Sequence, residues 1–192
     1  MSKPNEMLSK PSCIKSSIRY GVSLLLVFAV TAVVNTPTAT SAPPDAETCE
    51  RLERFHGHTC PGSLMGLRLG LTAKEALKGH GKLKAKCFIL ACPVDGIQVG
   101  VGTTWGNRGL EVENRGEMSM VLTDIESGRQ VEARLTEKAT KKGTSYRELT
   151  GKARSQTAGS PERKGFEKDA EAVLDWFRTA PDSEVVTIKV LK

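Results

Sequence analysis

The sequence lacks the cysteine spacings that identify common redox and metal-binding folds. None of its five cysteines belongs to a C-x-x-C pair, so nothing indicates a thioredoxin-like site, a c-type haem attachment or a zinc ribbon. The glycines between 100 and 109 follow neither phosphate-loop nor dinucleotide-binding spacing. Aromatic residues make up only 5% of the chain, and few lie among the basic residues from Lys138 to Lys168. The sequence therefore predicts no nucleic-acid partner.

Long uncharged runs are also scarce, with one exception close to the start of the sequence. Tyr20 to Val34 carries no charge and follows a segment with four basic residues and one acidic residue. This order is typical of a signal peptide, and the run is shorter than the roughly 20 residues of a transmembrane helix. We therefore predict a signal peptide over residues 1–42, with an uncleaved anchor as the alternative. The protein would be exported to a periplasmic or other extracytoplasmic location, without membrane attachment unless the signal is retained.

Residues 45–192 have the length of one domain with a hydrophobic core. Helical and β-prone segments follow each other without a regular βαβ repeat, which predicts an α+β fold with a mostly antiparallel sheet packed by helices. Glycine and basic residues from Lys138 to Lys168 predict a solvated, mobile loop. The main predicted helices span Asp45–Phe55, Pro61–Lys78 and the region of Phe166–Phe177. The main predicted strands span Lys84–Ala91, Glu117–Ile125, Arg129–Leu135 and Glu184–Leu191, the first of them buried on both faces.

Two cysteines precede prolines at predicted helix starts. Cys60 ends the segment Phe55-His56-Gly57-His58-Thr59-Cys60-Pro61-Gly62, and Cys92 is followed by Pro93 after an apolar β-prone run. Proline is favoured at the first helical position, because its missing N–H would have no partner there. Both cysteines therefore fall at or near helix N-caps, where free N–H groups and the helix dipole favour a thiolate. A thiolate is the form that binds metal or attacks an electrophile.

These residues predict a transition-metal site made of His56, His58, Cys60 and Cys92. Two thiolates with one or two imidazoles suit Zn²⁺ best and also admit nickel, iron or copper, or a metal-containing cofactor. Gly57 must bend the chain for both histidines to reach one ion, and we favour His58 because it is closer to Cys60 in sequence. Asp95 is the nearest carboxylate for orienting the site. If the site is catalytic, Cys60 and His58 are the candidate catalytic residues, acting on a small molecule.

Two other interpretations use the same cysteines. In the first, the protein is a thiol redox protein in which the helix start and His58 activate Cys60, and Cys92 resolves the product. In the second, Cys60 and Cys92 form a structural disulfide in a non-catalytic domain of an oxidising compartment. Cys87 lies within an apolar strand, which predicts a buried thiol.

The two Cys-Pro motifs and the segment from Gly102 to Leu110 resemble the FmdE family, named for a component of formylmethanofuran dehydrogenase. The resemblance covers Cys49 to Ile125, and more loosely the end of the chain. It implies an α+β core domain that tends to form homodimers, with a His/Cys metal or active site at His56, His58, Cys60 and Cys92. Many members also carry a C-terminal zinc finger, whereas this chain has no cysteine after Cys92.

Overall fold

The structure, a computed structural model, describes residues 42–79 and 81–192. The predicted signal peptide lies outside the described residues except for its last position. Among the described helices, none combines the length and the apolar character needed to cross a membrane. The elements are α1 (Ala46–His56), α2 (Pro61–Leu77), β1 (Leu83–Cys87), α3 (Pro93–Val101), β2 (Leu110–Val112), β3 (Ser119–Asp124), β4 (Gln130–Leu135), α4 (Glu137–Ser155), α5 (Pro161–Thr179), α6 (Asp182–Val185) and β5 (Val186–Val190).

The five strands form one sheet in the order β2-β1-β3-β4-β5. The pairings β1–β3, β3–β4 and β4–β5 are antiparallel, and β1–β2 is parallel. The fold is α+β, as predicted, but the sheet is mixed rather than mostly antiparallel. The reason is the connection between β1 and β2, which passes through α3. A crossover of this kind returns the chain to the end at which β1 began, so the next strand runs parallel to it.

One face of the sheet packs on the helices and the other carries charge. In β1, Ala85 and Cys87 are buried, while Lys84 and Lys86 lie on the opposite face and both form ion pairs with Glu111. The predicted strand Lys84–Ala91, buried on both faces, is therefore wrong in two respects. The strand ends at Cys87, and the alternation of lysine with small apolar residues marks one solvated face.

Helix α2 is the centre of the core, with 12 of its 17 residues buried. It runs in the same direction as α3, because Gly62, Gly66 and Gly70 of α2 meet successive residues of α3. A Cβ atom at Gly66 would overlap the carbonyl of Pro93, and one at Gly96 would overlap the carbonyl of Ser63. Glycine on both helices lets the two backbones approach this closely. Close parallel packing brings the amino ends of α2 and α3 together.

A buried ion pair joins α2 to the end of α5. Arg68 is 1% exposed, and its Nε donates to Asp182 Oδ1 at 3.0 Å. Its remaining N–H groups donate to the carbonyls of Phe177 and Ala180, at 2.8 and 2.6 Å. Thr72 of α2 also donates to Asp182, at 2.9 Å. The guanidinium thereby satisfies carbonyl groups at the end of α5 that have no partner within the helix.

The basic segment from Lys138 to Lys168 is helical, and its prediction as a mobile loop is wrong. It contains most of α4 and the first turns of α5. Thr136 caps α4 by accepting from the N–H of Ala139, and Ser160 caps α5 by accepting from the N–H of Arg163. These caps satisfy N–H groups at the helix starts and favour the helices despite the glycines. Gly143 lies against Met65 of α2, where a Cβ atom would overlap the methionine methyl group.

Candidate metal centre

The first part of the candidate site is the end of α1. His56 is the last residue of α1, and Gly57 ends the helix in the left-handed conformation, with φ of 85°. The N–H of Gly57 donates to the carbonyl of Glu53 at 2.8 Å. This conformation is strained for residues with a Cβ atom and is open to glycine. The bend at Gly57, which the sequence predicts, turns the chain from His56 toward Cys60.

Cys60 is the N-cap of α2, which confirms the prediction from Pro61. Its Sγ accepts from the N–H of Ser63 at 3.4 Å, and its own N–H donates to Ser63 Oγ at 3.3 Å. This arrangement is a capping box in which sulfur takes the place of the usual hydroxyl. The thiol is therefore held at a helix start and faces a free N–H group.

Cys92 occupies the equivalent position of α3, but its geometry differs. Its backbone is already helical, with φ of −42° and ψ of −33°, and its side chain makes no capping hydrogen bond. The Sγ of Cys92 is thus free to face Cys60. Gly62 permits this approach, because a Cβ atom there would lie 2.9 Å from the Cβ of Cys92.

His56, Cys60 and Cys92 bring three donor atoms into one group. All three atoms lie within 4.8 Å of one another, and His56 Nε2 is 3.7 Å from Cys60 Sγ. The other ring nitrogen of His56, Nδ1, is 2.7 Å from Asp95 Oδ2. A carboxylate on Nδ1 holds the proton there and leaves the Nε2 lone pair directed at the thiols. Asp95 lies in the first turn of α3, so the same helix supplies both Cys92 and the partner of His56.

The two thiols have different acidities. Burial alone would raise the pKa of Cys60, but hydrogen bonds from Ser63, His56 and Cys92 outweigh it and lower that pKa below its ordinary value. The pKa of Cys92 is raised, first by burial and then by the neighbouring charge of Cys60. Burial works to lower the pKa of His56, but Asp95 and Cys60 reverse the effect and raise it. Cys60 is therefore the first of the pair to become a thiolate.

The structure does not bring every predicted site residue into this group. His58, which proximity in sequence favours over His56, is exposed, and its ring is stacked on that of His56 with centroids 4.6 Å apart. His56 rather than His58 is the histidine beside Cys60. Cys87 is fully buried, as predicted, and burial raises its pKa to about 12. Cys49 is half-buried, and the four described cysteines are all free thiols. His80 lies outside the described residues.

A cavity of about 260 Å³ opens beside the two cysteines. Its walls come from α2, α3, the segment after β1, the start of β3 and helix α4. Sequence reasoning missed the contribution of α4, because glycine and basic residues in that segment favour a loop. The helical caps at Thr136 and Ser160 were the signal that could have found it. The cavity residues that the sequence analysis did not anticipate are Met65, Ile89, Met118, Gly143, Tyr146 and Arg147.

The donor set fits a tetrahedral thiophilic metal. For zinc bond lengths near 2.3 Å to sulfur and 2.0–2.1 Å to nitrogen, the ligand atoms of a tetrahedron stand roughly 3.6–3.8 Å apart. The observed 3.7 Å between His56 Nε2 and Cys60 Sγ matches that spacing. The third donor, on Cys92, lies within 4.8 Å, so a small rotation of its side chain would complete the set.

Comparison with known proteins gives three findings. The profile of the family described as "FmdE, Molybdenum formylmethanofuran dehydrogenase operon" matches residues 55–187. A solved structure of an FmdE-like protein of tungsten formylmethanofuran dehydrogenase, from Syntrophus aciditrophicus, aligns with a TM-score of 0.52 at 21% identity, over 76% of this chain and 71% of that one. A probable S-adenosyl-L-methionine-binding protein of Archaeoglobus fulgidus is 34% identical over 80 residues. That match covers 38% of this chain and only 22% of the relative.

Proposed function

The chain belongs to the FmdE family, and from this premise we propose that it binds a transition metal through His56, Cys60 and Cys92. The observation that carries the proposal is the convergence of these three donors at the amino ends of two parallel helices. Both helix dipoles stabilise negative charge at that point. An apolar core would gain nothing from two thiols and an imidazole oriented by a carboxylate, whereas a metal site needs all of them.

Three protein donors leave one position for a ligand. A site with four protein ligands is typical of structural zinc, while three with an open position is typical of sites that bind or transform a small molecule. The cavity beside Cys60 and Cys92 supplies the space for that ligand. A bound metal would supply Lewis-acid polarisation of the ligand atom that it holds. The protein's own residues orient the donors and keep bulk solvent from the cavity.

Three further features belong to the same proposal. Zinc is the first candidate metal, because two thiolates and an imidazole are its common ligands, and nickel, iron or copper would also be accepted. Export rests on the basic and apolar order of residues 1–42, and a shortened mature mass in the periplasmic fraction tests it. A homodimer rests on the family resemblance, and light scattering of the purified protein tests it.

Elemental analysis tests the metal site. The protein is purified without chelator or nickel affinity resin, and its metal content is measured by mass spectrometry with a thiol count. We expect near-stoichiometric metal in the native protein. We expect the metal to be lost in His56→Ala, Cys60→Ser and Cys92→Ser, with circular dichroism showing that each variant is folded.

His58→Ala is the matched control for His56→Ala. The two rings are stacked neighbours, but only His56 contacts Cys60. His58→Ala should keep its metal. Metal retained by folded Cys60→Ser and Cys92→Ser proteins would overturn the proposed ligand set, and equal loss in both histidine variants would add His58 to it.

A thiol redox function is the second candidate, and the unequal acidities of the two cysteines favour it. Cys60 has the lowered pKa of an attacking thiol, and Cys92 is close enough to resolve a mixed disulfide. Oxidation of the pair to a disulfide releases two electrons and two protons, which a disulfide oxidant would accept. Purified protein with both thiols blocked and no metal would favour this function over metal binding.

A further inference from the structure

The cavity beside the cysteines has a second wall that the metal site does not use. Helix α4 supplies it through Tyr146 and Arg147, and Gly143 of the same helix sits against Met65 of α2. A larger residue at 143 would push α4 away from α2 and open the cavity. The glycine therefore holds these two polar side chains opposite the thiols.

Neither polar group is used by the part of the protein that the structure describes. Within residues 42–79 and 81–192, no group lies within hydrogen-bond distance of the Tyr146 hydroxyl, and no carboxylate pairs with the Arg147 guanidinium. Most other arginines of α4 and α5 contrast with this: Arg163 and Arg178 both pair with acidic side chains. Burial raises the pKa of Tyr146, and the Cys60 charge raises it further. The phenol therefore stays protonated at neutral pH and can donate a hydrogen bond.

The remaining walls are apolar. Met65, Ile89 and Met118 separate the thiols from the polar end of the cavity. At about 260 Å³, the space is below the roughly 300–1,000 Å³ of pockets for drug-sized ligands. The cavity therefore suits a small molecule with a short apolar body and polar groups at both ends.

We propose that this cavity binds a small organic carboxylate, with the carboxylate held by Arg147 and Tyr146 and a donor atom at the other end on the metal. The inference rests on the proposed metal site and names the class of ligand that it takes. Guanidinium matches a carboxylate through paired N–H groups, and one arginine balances one negative charge. A phosphate dianion would need a second cation, and among the described residues that line the cavity Arg147 is the sole one.

A matched pair of probes tests the inference. The compounds 3-mercaptopropionate and 3-mercaptopropanamide share a thiol and a short apolar body and differ only in charge at the far end. Binding is followed by fluorine NMR of protein labelled with 3-fluorotyrosine. The chain has two tyrosines, and Tyr146→Phe identifies the signal of the one in the cavity. We expect the carboxylate to bind about tenfold more tightly than the amide and to shift the Tyr146 signal.

Arg147→Gln should reduce that preference to about twofold or less, since the charge-assisted hydrogen bonds are lost. Lys141→Gln is the control, because it removes one positive charge from the same exposed helix without touching the cavity. It should keep the tenfold preference. Equal binding of the two probes to the native protein would overturn the inference, as would an unchanged preference in Arg147→Gln.

Metal analysis of the same samples separates this inference from the function on which it rests. If metal is present at full occupancy and the probes bind equally, only the ligand assignment fails. If the protein holds no metal and neither probe binds, the proposed function fails and the ligand assignment fails with it. A loss of metal in Arg147→Gln would also contradict the inference, since Arg147 is assigned to the ligand alone.

Discussion

Two helix pairs border the candidate site, and they are built in opposite ways. The pair α2–α3 is packed through glycine, with backbone against backbone, and most residues of α2 are buried. The pair α4–α5 is largely solvated, and in α4 only Ala139, Gly143 and Ala153 are buried. The first pair holds the sulfur donors, and the second covers the cavity that they border.

The difference assigns separate tasks to the two pairs. Metal ligands must be held within a few tenths of an ångström, and tightly packed helices without flexible side chains between them provide that precision. A cover over a ligand cavity needs polar side chains and room for the ligand to enter. Substitutions in α2–α3 should therefore affect folding and metal binding together, whereas exposed substitutions in α4 should leave both intact.

The largest effect is expected where α2 is tied to the end of α5. Arg68→Met removes a guanidinium that is 1% exposed and leaves Asp182 buried without its charge partner. We expect the free energy of unfolding to fall by about 3–5 kcal/mol, measured by urea denaturation. Arg163→Met, which breaks the exposed pair with Glu167, should cost about 0.5 kcal/mol or less. Equal effects of the two variants would contradict the buried pair.

A second prediction compares the same substitution in the two helix pairs. Gly66→Ala places a methyl group into the Pro93 backbone, and we expect the free energy of unfolding to fall by about 3 kcal/mol with loss of metal. Gly151→Ala in α4 meets no atom within 4 Å and should stabilise by about 0.5–1 kcal/mol. Thermal unfolding of both variants measures the contrast. Similar melting temperatures would show that the α2–α3 contact is looser than described.

A third prediction concerns the carboxylate that holds His56. Asp95→Asn keeps the side-chain shape but removes the charge at His56 Nδ1, so the imidazole is oriented and polarised less well. We expect metal affinity to fall about 10–100-fold, measured by competition with a chromophoric chelator. Lys141→Gln in α4 should leave the affinity unchanged. An unaltered affinity in Asp95→Asn would remove Asp95 from the site.

The smallest effect is expected in the acidity of the thiols of the metal-free protein. Alkylation requires thiolate, so its rate rises with pH through the pKa of each cysteine. The lowered pKa of Cys60 moves its midpoint below that of free cysteine, and the raised pKa of Cys92 moves its midpoint above it. Mass spectrometry of peptides after timed iodoacetamide treatment measures both midpoints.

The two histidines provide the control for this measurement. His56 is among the groups that lower the pKa of Cys60, so His56→Ala should raise the Cys60 midpoint. His58→Ala should leave it in place, because His58 is not among those groups. A midpoint for Cys60 equal to or above that of Cys92 would contradict the assigned acidities.

Local signals in the sequence were sufficient for several features of the site. Pro61 and Pro93 placed both cysteines at helix starts, because proline at the first helical position is a local preference. Gly57 identified the bend after His56, since its conformation depends on the missing Cβ atom alone. The α+β class followed from the order of apolar patterns. The helical state of the basic segment was missed, although the caps at Thr136 and Ser160 were present in the sequence.

The ligand group itself was decided by tertiary structure. Proximity in sequence favoured His58, but His56 lies on the last turn of α1, where packing of α1 near α3 places Asp95 against its ring. The parallel pairing of β1 and β2 and the cavity wall from α4 likewise depend on contacts between residues far apart in the chain. The sequence by itself determined which residues have metal-binding chemistry and which helices begin at cysteine. Only the close glycine packing of α2 on α3 decided which donors meet, because distances between separate elements depend on how their surfaces fit.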